Sequence, residues 1–219
     1  MRTLSLAVLA LAATLGAAPP AAHAGTVVKP PDGPGIAALG SNFSSVYANS
    51  FVAPNDGNVT EMGVWLRNVP DSQVRFEVYD SPGGDPGLGP DSTRLLARSP
   101  VDGGTYADFT FVDFDHGITD FGTLAAGHTY WLAATVVGLG DSGAYAVATH
   151  TQNTGGIVDN GTFWWSNDPA GRVFEGPWAP PLEIAFSVTV SPVPEPGALA
   201  MLALGLPLLA ARARRGRPA

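Results

Sequence analysis

The chain has 219 residues, with 19 acidic side chains against 11 basic ones and no cysteine. Without disulfides, a fold of this size must rest on its apolar core. The acidic balance repels phosphate backbones, so no nucleic-acid partner is expected, and the missing thiols remove cysteine nucleophiles and thiolate metal sites.

Residues 1–24 read as a secretory signal peptide. Arg2 supplies a positive start, Leu4 to Leu15 form an apolar stretch, and Ala22-His23-Ala24 offers a small-x-small cleavage site, so the mature chain starts near Gly25. The Ala-rich run is short for a membrane span, and Pro19-Pro20 ends it. Between Gly25 and Val190 there are 6 basic and 18 acidic residues, a net of −12 against −8 for the whole chain. The body is therefore more acidic than the chain as a whole.

Residues 25–41 are rich in Pro, Gly and Ala, as in Lys29-Pro30-Pro31-Asp32-Gly33-Pro34-Gly35, and are expected to form a flexible leader. From residue 42 to residue 190 the pattern becomes strand-like. Val74 to Asp80 and Leu182 to Val190 alternate apolar and polar residues, which is expected to put one side of each strand in a core and the other in water. Met62, Val64 and Leu66 share one face, with Glu61, Trp65 and Arg67 on the other. Further strands are expected over Ser50–Ala53, Tyr106–Val112, Thr129–Val137, Tyr145–Thr149 and Gly161–Trp165. Gly/Pro-rich turns separate them, such as Ser81-Pro82-Gly83-Gly84-Asp85-Pro86-Gly87, and no long 3.6-residue periodicity intervenes. The fold class that follows is all-β, an antiparallel, jelly-roll-like β-sandwich of roughly eight or nine strands. A signal-peptide helix is expected before it and a hydrophobic helix after it.

Residues 191–219 have three parts. Pro194-Glu195-Pro196 is followed by an apolar run from Ala198 to Ala211, and Arg212, Arg214, Arg215 and Arg217 close the chain. A rigid, extended Pro-Glu-Pro segment ahead of an insertable helix, with arginines holding its far end on the cytoplasmic side, is a membrane-addressing order. The run is 14 residues long with Gly205 and Pro207 inside it, below the roughly 20 that span comfortably. This tail resembles the PEP-CTERM sorting signal of Gram-negative, matrix-producing bacteria. The resemblance implies transit across the inner membrane, processing by an exosortase-type enzyme, and a destination in the cell envelope, at the surface or in the extracellular matrix.

A second resemblance spans residues 42–190. Ser50-Phe51, Val59 to Leu66, the Tyr79-Asp80 strand end with its Pro-Gly loop, Leu124 to Leu132, Trp164-Trp165 and a late Phe186 strand are similar to bacterial "choice-of-anchor" extracellular domains. It implies fold and location more than activity.

The four histidines, His23, His116, His128 and His150, show no metal-ligand spacing, and neither a nucleophile elbow nor a phosphate-binding glycine loop is present. No catalytic residue, metal site or cofactor is assigned. Two acidic loops, around Asp80, Asp85 and Asp91 and around Asp113, Asp115 and Asp120, leave calcium as the one metal to consider, since it takes oxygen ligands from irregular loops. Trp65, Trp164, Trp165 and Trp178 are the candidate sugar-binding residues, because an exposed indole packs against pyranose C–H groups while nearby amides and carboxylates take hydroxyls. Adjacent Trp164 and Trp165 point to opposite faces of a strand, so one of them can lie outside the core. The expected function is a non-catalytic exported surface or matrix protein that contacts exopolysaccharide. Two alternatives stay open: a polysaccharide lyase or glycosidase on a jelly roll, whose two carboxylates would face each other across roughly 5–10 Å, and a purely structural envelope domain.

Overall fold

The computed structural model describes residues 23–33, 35–40, 43–68, 72–139, 145–151, 162–178 and 182–193. The tail with Pro194, Glu195 and Pro196, and all of the signal peptide before His23, lie outside them. Among the described residues, no helix is long and apolar enough to cross a membrane.

The fold is all-β. Its strands are β1 (Gly25–Lys29), β2 (Ile36–Leu39), β3 (Val46–Val52), β4 (Asn58–Asn68), β5 (Val74–Tyr79), β6 (Leu95–Asp102) and β7 (Thr110–Phe114). They continue with β8 (Thr119–Asp120), β9 (Thr129–Thr135), β10 (Tyr145–Val147), β11 (Thr149–Thr151), β12 (Phe163–Ser166), β13 (Leu182–Ile184) and β14 (Phe186–Ser191). One six-stranded sheet runs β1-β14-β4-β10-β2, with β7 also on β4. A second runs β12-β3-β9-β5-β6-β8, and β11 pairs with β13 alone. Every pairing between these strands is antiparallel.

The expected core faces are realised, but the other side of β5 and β14 is not in water as expected, since Glu77, Tyr79, Ser187 and Thr189 are buried as well. Met62, Val64 and Leu66 of β4 and Phe76 and Val78 of β5 all lie in the core, while Trp65 is half-buried and Arg67 exposed. The core closes across the two sheets through aromatic edges: Phe51 meets Phe186 at 6.2 Å and Phe76 meets Phe114 at 5.8 Å between ring centroids. Each such large side chain withdrawn from water contributes about 1.5–3 kcal/mol.

Two expectations are corrected. Residues 25–41 are not merely a flexible leader, because β1 adds to the edge of β14 in register from Gly25↔Val190 to Lys29↔Phe186, and β2 pairs with β10. Edge pairing satisfies the backbone of a segment whose composition alone reads as loop. The stretch Leu182–Val190 is not one strand either, since it is broken at Ala185 into β13 and β14. There three backbones close a ring of hydrogen bonds: Trp65 N–H donates to Ala185 O (3.2 Å), Ala185 N–H to Ala148 O (2.8 Å), and Ala148 N–H to Trp65 O (2.8 Å). At this point β4 passes from β14 to β10, and the β10–β11 chain passes from β4 to β13. Both alanines are buried, and small side chains let three backbones meet.

A charge pair lies inside this structure. Lys29, at the end of β1, is 2% exposed, and its Nζ stands 2.6 Å from Oε2 of the fully buried Glu183 on β13. The same ammonium reaches the Ser50 carbonyl of β3 at 3.4 Å, so one side chain ties both sheets. Breaking a buried pair costs more than never having had it. Lys29→Met is therefore expected to lower unfolding free energy by about 3–5 kcal/mol, with Lys29→Met/Glu183→Leu recovering much of the loss. Urea denaturation of the three proteins checks this, and a double variant no more stable than the single one would show that the charges are not coupled.

Candidate functional site

The second sheet is packed on both faces. On its outer face Val46, Ala48, Tyr79, Trp131, Ala133 and Trp164 form a second apolar cluster, covered by Leu95, Val137 and Phe174. The Trp131 and Trp164 rings meet edge to face at 6.2 Å, and Trp131 Nε1 donates to Ser81 Oγ at 2.9 Å. Two loops press on Trp164 through glycine: a Cβ at Gly89 (φ +77°) would stand 2.7 Å from its ring, and one at Gly176 also 2.7 Å. On the same sheet Glu77 is buried against Arg75 (2.9 Å) and Arg98 (2.7 Å) and accepts from the Tyr79 hydroxyl, whose ionisation burial and this carboxylate together push upward.

Of the four candidate tryptophans, Trp164 thus belongs to a covered cluster and is 9% exposed. Trp65 sits on the other sheet, its ring 4.2 Å from Phe111. Only Trp165 and Trp178 come together, edge to face at 5.0 Å and 75°. The strand explains the first of them: Phe163 and Trp165 are two residues apart on β12 and share a face, while Trp164 points the other way. The second is placed by backbone pairing, since Trp165 N–H donates to Glu175 O (3.1 Å), Glu175 N–H to Trp165 O (2.8 Å) and Trp178 N–H to Phe163 O (2.9 Å). Residues 175–178 thereby run along the free edge of β12.

These side chains line a cleft of about 320 Å³, within the range of small-ligand sites, roughly 300–1,000 Å³. It opens between β12 and β2, an edge strand of each sheet, with Ile36 contributed from β2. Tyr47 of β3, which pairs with Trp165, meets Phe163 at 5.3 Å, and Phe163 meets Trp178 at 6.4 Å. Trp178 is 45% exposed, so an indole stands open to solvent at the mouth.

A line of polar groups borders the aromatic surface. Tyr47, whose hydroxyl pKa burial raises, lines the cleft together with Ser44. Ser44 Oγ donates to Asn167 Oδ1 at 2.9 Å, and Asn167 Nδ2 donates to Glu175 Oε1 at 3.3 Å. Asn167 belongs to a loop that Asp168 caps: the Ala170 and Arg172 N–H groups donate to its carboxylate at 3.0 Å each. Those bonds, aided by the Arg172 charge, hold the Asp168 carboxyl below the ordinary carboxylate range.

Elsewhere the acidic loops are occupied locally. Asp80 pairs with Arg94 at 2.5 Å, Asp85 accepts the Gly87 N–H, Asp91 accepts from Thr93, Asp115 pairs with His116, and Asp120 accepts from Asn58. Among the described residues no group of three or more His, Cys, Asp or Glu side chains is arranged to hold a metal ion. His150 lies against Pro30 O (2.8 Å) and Asp32 (3.5 Å). Tyr47, Phe163, Ser44 and Asn167 were not anticipated. The i, i+2 spacing of Phe163 and Trp165 was a usable signal, whereas the pairing of Tyr47 with Trp165 required the fold.

No protein-family model matches the chain, and no curated protein is significantly similar to it.

A depressed carboxyl stabilises the fold above its unfolded value and loses that contribution as pH falls through the folded one. Asp168→Ala is accordingly expected to lower the melting temperature at neutral pH, with the gap to the parent protein closing once pH drops below the ordinary carboxylate range. Melting curves across the acid range measure it, and a gap that does not depend on pH would contradict the capping role.

Proposed function

We propose that the protein is an exported, non-catalytic surface or matrix component whose aromatic cleft binds exopolysaccharide. The observation that carries this reading is the cleft itself: an exposed Trp178 beside Trp165, Tyr47 and Phe163, bordered by the Ser44–Asn167–Glu175 line. Apolar ring faces beside amide and hydroxyl groups match the alternation of C–H and O–H groups on a sugar. Among the described residues, none of those lining the cleft carries a carboxylate, which favours binding over a hydrolase or lyase reading that needs a facing acid pair. The exosortase-type partner and inner membrane belong to export.

The ends of the domain support display at a surface. Gly25 pairs with Val190, and Asn55, just beyond β3, donates to Val190 O at 2.7 Å. The cleft residues Ser44 and Tyr47 lie at the opposite end of β3, about 20 Å away along a seven-residue strand. A tail sorted through Pro194-Glu195-Pro196 would leave the domain at one pole while the cleft opens near the other. The jelly-roll reading rests on the chain's repeated crossing between the two sheets.

Trp178→Ala and Trp165→Ala are each expected to weaken retention on the host's exopolysaccharide roughly tenfold, while Trp65→Ala behaves as the parent protein. Parent-like retention by both cleft variants would remove the site. Fractionation of the host tests the export reading: full-length chain in the cytosol, with residues 1–24 and 194–219 intact, would overturn it.

A further inference from the structure

We infer that the cleft takes a neutral glycan, a chain of uncharged hexose-type rings, and discriminates against acidic polysaccharides; this rests on the reading of the cleft as a glycan site. A uronate, sulfate or pyruvate substituent removed from water needs a guanidinium, an ammonium or convergent N–H donors. Among the described residues no cation lines the cleft: Trp165, Trp178, Tyr47, Phe163, Ser44 and Asn167 are all uncharged. The charge that does adjoin it is negative. Glu175 accepts from Asn167 at 3.3 Å, and Asp168, next to Asn167, is held ionised by the two N–H groups that cap it. Arg172, the basic residue of that loop, does not line the cleft, and its charge acts on Asp168.

The long-range field agrees with the local one. The body between Gly25 and Val190 carries a net of −12, so an anionic chain is repelled before it reaches the cleft. Hydroxyl donors, by contrast, find acceptors already in place. Asn167 Oδ1 keeps a second lone pair, and the exposed Glu175 carboxylate keeps an oxygen beyond the one Asn167 uses. A small organic cation is the competing occupant for aromatic rings beside an acid. The 5.0 Å edge-to-face contact of Trp165 and Trp178 fills the space between those two rings, which favours a ligand laid along the surface over one caged inside it.

The test measures Trp fluorescence and calorimetric binding of the mature protein with neutral glucan, galactan and mannan oligosaccharides, with oligogalacturonate and oligomannuronate of equal length, and with tetramethylammonium. The expected result is that at least one neutral oligomer binds about tenfold or more tightly than either acidic one. Glu175→Lys should shift that ratio toward the acidic oligomers. Acidic oligomers binding as well as or better than neutral ones would overturn this inference while leaving a glycan-binding cleft. Binding of no oligomer would remove the glycan reading itself. Saturable binding of tetramethylammonium alone would replace both with a cation site.

Discussion

Burial of one sheet on both of its faces is the constraint on which the rest of this structure depends. With no cysteine in the chain, cohesion has to come from apolar contact. β9, paired on both sides in the second sheet, is buried along nearly its whole length. Its inner residues Tyr130, Leu132 and Ala134 face the first sheet, and its outer residues Trp131 and Ala133 need a separate cover. That cover comes from connecting segments: Ser81 accepts the Trp131 indole N–H, Phe174 packs on the cluster, and Gly89 and Gly176 approach Trp164 closely. The cleft is a consequence. The segment that covers Trp164 continues along the edge of β12 and delivers Trp178 to the inner-face side, beside Trp165.

Buried charge adds specificity to this apolar arrangement. Lys29 with Glu183, and Glu77 with Arg75 and Arg98, are each matched at hydrogen-bonding distance. Such pairs contribute little net stability compared with apolar substitutes, but a wrong register would strand a charge in the core. In this protein the Lys29 pair fixes β1 against β13 and β3, and so sets where the chain enters the sandwich.

The functional reading follows from where things lie. Entry at Gly25 and exit at Val190 are neighbours across one register pair, and the aromatic cleft lies toward the other end of β3. A domain tethered at one pole, with its binding surface at the other, would suit the proposed contact with a surrounding polymer. The lack of positive charge among the described residues of the lining then bears on the chemistry of the proposed polymer ligand.

Local pattern alone determined much here. Strict alternation at Met62-Val64-Leu66 and at Phe76-Val78 specified strands and their buried faces, because a side-chain period of two is a property of the strand itself. Opposite orientations for Trp164 and Trp165 followed from the same rule. Other features depended on partners distant in the chain. β1 and β2 form inside a Pro/Gly-rich stretch because edges of β14 and β10 wait there to pair with them. β13 and β14 separate because Ala148 inserts its backbone at Ala185. Which of Trp164 and Trp165 would face a cleft was decided by what covers each side of β12, and that Trp178, rather than Trp65, would join it was decided by the pairing of Glu175 with Trp165. Hydrogen bonds and contacts between residues far apart in sequence leave no periodic trace, so only the tertiary structure could settle them.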